Sequence, residues 1–264
     1  FNLAGFFGGV PIKTMPTLDL SNLDQARNSH EEVYNQVIAD LVQAEGLLPA
    51  EMPVGHASAF SATALLARVY LSQFQLTANA SYAALALESA DKVINDGGYS
   101  LMESYADLFI PDPNSESIFE VVYDAQNSNR LAQYFFPRSL TGRYEVAPTE
   151  ELIESYEEGD VRLDASIAID EENYPYGIKY TDITAGTDRV YVLRLAEMYL
   201  IRAESRAYSN GDIGLIKSDL DIIRSRAGLP AITAEDYPSL KLAIENERRH
   251  EFAFEGQRWE DLVR

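Results

Sequence analysis

The chain has 264 residues, with 21 basic and 42 acidic side chains and a formal charge of −21. That length is enough to bury a sizeable core, while the acidity repels phosphate backbones and anionic lipid and argues against a nucleic-acid partner. Cysteine is absent, which excludes disulfides, thiolate nucleophiles and cysteine metal sites. No apolar run approaches the roughly 18 residues that cross a bilayer.

The opening stretch, Phe1-Asn2-Leu3-Ala4-Gly5-Phe6-Phe7, carries no basic region and no cleavage site, so it does not read as a leader. Both ends are expected to continue into a longer chain. Asn28 or Ser29 is placed to cap a first helix, with Glu31 and Glu32 in its first turn, where the macrodipole favours negative charge. Val33, Val37, Ile38 and Leu41 then recur at helical spacing. Further helices are predicted over about 58–74 and 82–95, the second stopping at Asp96-Gly97-Gly98. Beyond them the pattern changes. Residues 117–123 read as a strand, being rich in aromatic and branched side chains. Val161, Leu163, Ala165, Ile167 and Ile169 alternate with Arg162, Asp164, Ser166, Ala168 and Asp170, a two-residue period that also predicts a strand. Helix returns over about 190–208 and 213–227, and a longer one runs to Glu255 and halts at Gly256. The expected organisation is therefore a helical part over 1–98, a strand-and-loop insertion over 99–188, and a second helical part over 189–264.

An internal repeat links the outer parts. Leu66-Ala67-Arg68-Val69-Tyr70-Leu71 matches Leu195-Ala196-Glu197-Met198-Tyr199-Leu200, and Asp91-Lys92-Val93-Ile94 matches Asp219-Leu220-Asp221-Ile222 at nearly the same offset. Helix pairs of about 34 residues are the tetratricopeptide (TPR) pattern, and such pairs stack to bury a shared core. The predicted fold is mainly α: TPR-like stacked helix pairs with a small strand-and-loop insertion.

Chemistry-bearing residues fall into three groups. His30, His56 and His250 are scattered without metal-ligand or triad spacing and read as surface or capping residues. Glu197 and Glu204 share a helical face with Leu200 and Ala207, and Glu247 and Glu251 sit in the apolar stripe of Leu240, Ile244 and Phe254. Unpaired carboxylates there would be costly, so an ion network is expected, formed by Glu197, Glu204, Glu247, Arg248, Glu251 and Arg258, with Arg194, Arg202, Arg224, Arg226 and Arg249 also within reach. The rival reading, a glycosidase acid pair, needs an open cleft and one raised pKa. The third group is aromatic: Tyr134, Phe135, Phe136, Tyr144, Tyr174, Tyr176 and Tyr180 lie in the insertion. Tyrosine in loops offers an apolar face with a polar rim, which suits sugar rings. Tyr134, Arg138, Arg143, Tyr144, Tyr174 and Tyr176 are the candidate ligand residues, with Asn127 and Asn129 nearby. No motif asks for a cofactor or a metal.

Several segments, in order, resemble the SusD/RagB family. They are Phe7-Gly8-Gly9-Val10-Pro11-Ile12, Arg27-Asn28-Ser29, Ala64-Leu65-Leu66-Ala67-Arg68-Val69-Tyr70-Leu71 and Asn114-Ser115-Glu116-Ser117-Ile118-Phe119-Glu120. Gly159-Asp160-Val161-Arg162-Leu163-Asp164 and Arg194-Leu195-Ala196-Glu197-Met198-Tyr199-Leu200-Ile201-Arg202-Ala203-Glu204 follow. Ile223-Arg224-Ser225-Arg226-Ala227-Gly228-Leu229 and Glu247-Arg248-Arg249-His250-Glu251-Phe252-Ala253-Phe254-Glu255-Gly256-Gln257-Arg258-Trp259 complete the set. The resemblance implies a non-enzymatic outer-membrane lipoprotein at the cell surface, anchored by a lipid outside this chain. It would hold a nutrient glycan for a SusC-like TonB-dependent transporter. A peptide cargo within the same family role, and a TPR-like scaffold that binds only protein, are the alternatives. In that resemblance the signature residues mark scaffold, and no family binding residue transfers by position.

Overall fold

The computed structural model describes residues 8–16, 24–110 and 114–263. Phe1 to Phe7, read above as no leader, and Arg264 lie outside them. Helix α1 (His30–Leu47) begins at Ser29, whose hydroxyl accepts from the Glu32 amide while the Glu32 carboxylate accepts from the Ser29 amide. This reciprocal capping box satisfies two donors that a helix start leaves unpaired. Helix α2 (Ala59–Thr77) starts from an analogous Ser58–Ser61 pair, and α3 (Ala80–Asp96) is capped by Asn79. Gly98, at φ 73°, then turns the chain away in the left-handed conformation glycine adopts freely.

Within the insertion come β1 (Ser117–Val121), α4 (Leu131–Phe135), α5 (Glu150–Ser155), α6 (Val161–Ser166), β2 (Ile167–Ile169) and β3 (Pro175–Gly177). They are followed by β4 (Val190–Arg194), α7 (Leu195–Tyr208), α8 (Ile213–Arg226), α9 (Tyr237–Glu251) and α10 (Arg258–Val263). Neighbours pack in the sequence α1–α2–α3–α7–α8, with α9 lying against both α7 and α8. The stack is the TPR-like arrangement that the repeat predicts. Its core has two halves either side of α7. Leu195, Met198 and Ile201 face Leu66, Leu71, Ala86, Ala90 and Val93, while Ala196, Leu200, Ala203 and Ala207 face Ile216, Leu220, Ile223, Leu240 and Ile244. A helix buried on both sides must be apolar on both faces and pair the charges it keeps there. Each large aliphatic side chain sealed there contributes roughly 1.5–3 kcal/mol.

Three expectations about local structure are corrected. The helix predicted over 190–208 starts only at Leu195; its first five residues form β4, paired antiparallel with β1 through Phe119↔Leu193, Glu120↔Tyr191 and Val121↔Val190. A lone strand leaves its backbone polar groups unmatched, and Val190-Tyr191-Val192 supplies the β-prone partner. The alternating run 161–169 is a strand only over Ile167–Ile169. Before it, Asp160 caps α6 by accepting from the Arg162 amide, and the alternation is inverted, with Val161 exposed and Arg162 fully buried. The helix expected to reach Glu255 ends at Glu251, and Phe254 adopts φ 67° in the turn that follows.

Candidate functional site

The insertion is fastened to the helical stack by buried ions. Arg162 bonds Asp160 at 2.7 Å, Glu247 at 2.9 Å and Glu251 at 3.5 Å. Arg194, at the β4–α7 junction, bonds Glu116 at 2.7 Å, Glu251 at 2.9 Å and Glu255 at 2.8 Å. Arg226 closes the circuit onto Glu116 and Glu251, and Arg224 holds Glu247 at 2.6 Å. Burial alone would raise the Glu251 pKa, but the guanidiniums of Arg226, Arg194 and Arg162 outweigh it and hold the group well below the usual carboxylate range. Lys179, wholly buried, donates to Glu255 at 2.7 Å and to the Glu251 carbonyl at 3.0 Å. Burial pushes its pKa down to about 8 against the pull of Glu255.

Of the six residues expected to form one network, only Glu247 and Glu251 meet, through Arg162. Glu197 lies on α2's side of the stack, with Arg68 donating to its two oxygens at 2.6 Å each. Glu204 accepts from Gln75 at 3.1 Å. Arg248 bonds Asp261 at 2.9 Å. Arg258 is a correction: it makes a half-exposed pair with Glu245 at 3.2 Å, because it lies beyond the α9 terminus and away from the buried acids. Arg162, Asp160, Glu116 and Lys179 were missed. For Arg162 and Lys179 the signal was the need for cations to match the buried acids; Asp160 and Glu116, themselves acids, carried no local signal. His250 is also buried, its ring stacked on Tyr156 at 4.4 Å and bonded to the Ser155 hydroxyl at 2.9 Å, instead of lying at the surface.

The candidate ligand residues form a surface built on short backbone bridges. Residues 143–146 run beside 133–136, with the Arg143 amide donating to Gln133 O at 2.7 Å, Tyr144 to Phe136 O at 3.0 Å and Glu145 to Tyr134 O at 2.8 Å. Gly142 permits this return, since a Cβ there would lie 1.9 Å from the Phe136 carbonyl oxygen. Tyr144 sits at φ 53°, a left-handed conformation that costs a non-glycine residue on the order of 1–2 kcal/mol. Its hydroxyl donates to Pro175 O at 3.0 Å, and its ring meets Tyr174 edge-on at 5.5 Å. The β2–β3 hairpin that carries Tyr174 is held by Asp170, whose carboxylate accepts from the Tyr174 amide at 2.8 Å, the Glu172 amide at 3.0 Å and the Ser139 hydroxyl. Ser139 thus ties the hairpin tip to the loop bearing Arg138 and Tyr144. The Arg143 guanidinium lies over the Tyr134 ring at 5.3 Å and pairs with Glu145.

Tyr174 is 47% exposed, and Arg138 and Arg143 are exposed. Tyr176 is the exception. It is only 9% exposed, with its ring packed inward against Phe136 at 4.9 Å. It is core, and the ligand role expected of it is withdrawn. Asn129 is likewise used internally, donating to Asp188 O and accepting from the Leu131 amide. Phe135 and Val146, from the same segments, line a largely apolar cavity of about 760 Å³ with Pro148, Tyr180 and Phe254.

Residues 179–264 match the profile described as the SusD family, and residues 1–71 match one described as "Starch-binding associating with outer membrane". The first covers the end of the insertion, β4 and α7 to α10, and the second covers α1 and most of α2. The chain belongs to the SusD/RagB family. A SusD-like protein of Bacteroides ovatus is 26% identical over 285 residues, 89% of this chain and 51% of that one, so the chain spans about half the length of this relative. A SusD superfamily protein from Parabacteroides distasonis superposes with a TM-score of 0.85 at 26% identity, covering 97% of this chain and 63% of that one. A laminarin-binding SusD-like protein is 27% identical with a TM-score of 0.79, over 96% of this chain and 65% of that one. In this SusD-family chain Arg194, Arg224, Arg226, Glu247 and Glu251 fall in a matched part, while Glu116, Asp160, Arg162 and the tyrosine surface lie between the two matches.

Proposed function

We propose that this SusD-family chain forms part of a cell-surface glycan-binding site on the outer membrane and hands its cargo, without catalysis, to a SusC-like TonB-dependent transporter. The parent protein would be held to the membrane by a lipid outside this chain. The observation that carries the reading is Tyr144, an aromatic residue kept in a left-handed conformation, its hydroxyl bonded and its ring against an exposed Tyr174. Strain that the surroundings hold in place is a mark of functional positions. Two tyrosines beside Arg138 and Arg143 offer ring faces for sugar C–H surfaces and N–H donors for hydroxyls. The laminarin-binding relative and the starch-binding family description support a glycan as cargo. In this reading the insertion over 99–188 is the ligand side, and 1–98 and 189–264 are its frame. Against the glycosidase alternative, both Glu197 oxygens are engaged by Arg68 in a buried pair.

The test is native electrophoresis of the full-length protein through gels containing soluble polysaccharides. Retarded migration with at least one polymer, lost in Tyr144→Ala, is expected. A protein that no polysaccharide retards, but that peptide mixtures occupy, would replace the cargo with peptide; binding to the transporter alone would leave only a scaffold.

A further inference from the structure

We infer that the Tyr134–Tyr144–Tyr174 surface takes an uncharged glycan and turns away one that carries carboxylate or sulfate groups. This rests on the glycan reading above and specifies its cargo. The Arg143 guanidinium reaches this surface, and Arg138 stands exposed next to Ser139, which bonds Asp170. Arg143 is already paired with Glu145 and laid over the Tyr134 ring. With that pair neutralised, three carboxylates stand against Arg138: Asp170, Glu171 and Glu172 at the hairpin tip that presents Tyr174. Asp170 keeps its charge, because the Ser139 hydroxyl and the Tyr174 and Glu172 amides hold its pKa below the usual value. The rim is therefore acidic, on a chain whose formal charge is −21.

An anionic polymer is recognised by uncompensated cations, above all arginine forks free to bind it in pairs. Only Arg138 is placed to act so here, and the surrounding carboxylates repel such a ligand over about a Debye length, roughly 8 Å at physiological salt. Repulsive groups around an attractive face are a route to selectivity. A neutral sugar finds the opposite. Its hydroxyls can donate, and ionised carboxylates only accept, so Glu171 and Glu172 offer charge-assisted bonds at the edge of a ring lying on Tyr144 or Tyr174. The same acids that exclude a uronate or sulfate ester thus hold a hydroxyl.

The experiment uses the full-length protein in affinity gels of a neutral polymer that retards it, drawn from laminarin, soluble starch and galactomannan, beside the carboxymethylated form of that polymer. Runs at about 20 mM and about 300 mM salt bracket strong and weak screening. Retention by the neutral polymer should change less than about twofold with salt, and the carboxymethylated form should bind about tenfold more weakly at low salt. That gap should shrink at high salt and in the double variant Glu171→Gln/Glu172→Gln. Equal retention of both forms, or tighter binding of the charged one that salt abolishes, overturns the inference. A gap that neither salt nor the substitutions move traces to bulk and overturns it too. If no glycan of either kind retards the protein, the glycan reading itself fails, and this inference fails with it.

Discussion

Asp91 and Asp219 occupy equivalent positions in the two repeated helix pairs, and both bind the guanidinium of Arg202, at 2.7 and 2.6 Å. Two further contacts join the repeats at an offset one residue longer. Arg68 bonds Glu197 and Gln75 bonds Glu204, each pair 129 residues apart, at matching places in the first helix of each pair. The repeat is therefore more than a shared outline. Where equivalent helices meet, one copy supplies a donor and the other an acceptor, so the stack is keyed in register by polar pairs as well as by its alanines and leucines.

Arg202→Met should cost about 2–3 kcal/mol in urea unfolding, because it leaves Asp219 buried with only Arg206 beside it. Adding Asp219→Asn should recover part of that loss. If the single substitution costs under about 0.5 kcal/mol, the keyed register contributes nothing to the stack.

In the buried clamp, Glu251→Gln should lower stability by about 3 kcal/mol, since Arg162, Arg194 and Arg226 all converge on this one carboxylate. Glu247→Gln should cost less, as it faces two guanidiniums. Thermal melts of both variants provide the check, and unchanged midpoints would show that the ions are not holding the fold.

The tyrosines should divide by burial. Tyr134→Ala and Tyr144→Ala should weaken glycan retention with a melting temperature within a few degrees of the parent's. Alanine keeps the Cβ and with it the left-handed strain of position 144, so the cost there is the lost ring contact with Tyr174 and the lost bond to Pro175 O. Tyr176→Ala should instead destabilise by about 3 kcal/mol, as removal of a buried aromatic does. Gly142→Ala, forced against the Phe136 carbonyl, should lose both stability and retention. Retention unchanged in Tyr134→Ala and Tyr144→Ala together removes this surface as the site.

Acid should unfold the protein in two stages. Burial, and then the charge of Arg162, push the His250 pKa from its ordinary 6.5 down to about 4. Between those values the unfolded chain binds a proton that the folded one refuses, so stability is full above about 6.5 and falls as pH drops toward 4. The loss is on the order of 2 kcal/mol. Glu251 acts below that: its folded value is depressed, so stability declines again as pH falls below its ordinary 4.5. His250→Gln should flatten the first stage and leave the second. Identical urea midpoints against pH in parent and variant would remove His250 from the account.

Much of the frame is legible in the sequence because helices announce themselves locally. Ser29 with Glu32, and the repeat from Leu66 and Leu195, depend on neighbours a few residues apart. The features that went unread depend on distant partners. β4 needs β1, where Phe119 pairs with Leu193 across 74 residues of sequence, and the spacing of Leu193, Leu200 and Ala207 outweighed the strand signal of Val190-Tyr191-Val192. The inward turn of Arg162 is intelligible only once Glu247 and Glu251 stand opposite it. Among the tyrosines, clustering was readable but facing was not, because Tyr174 and Tyr176 share one face of a strand on paper. The hairpin turn at Asn173, at φ 66°, frees Tyr174 from the face that buries Tyr176.

The clamp grips the insertion only at its roots. Glu116, Asp160, Arg162 and Lys179 are all drawn into the stack, whereas residues 138–145 and 170–174 hang from one another by a serine, an aspartate and a few amides. Such a layout separates inheritance from adaptation. The tips can be rewritten residue by residue, changing what is recognised, while every new version arrives already oriented on the same rigid mount.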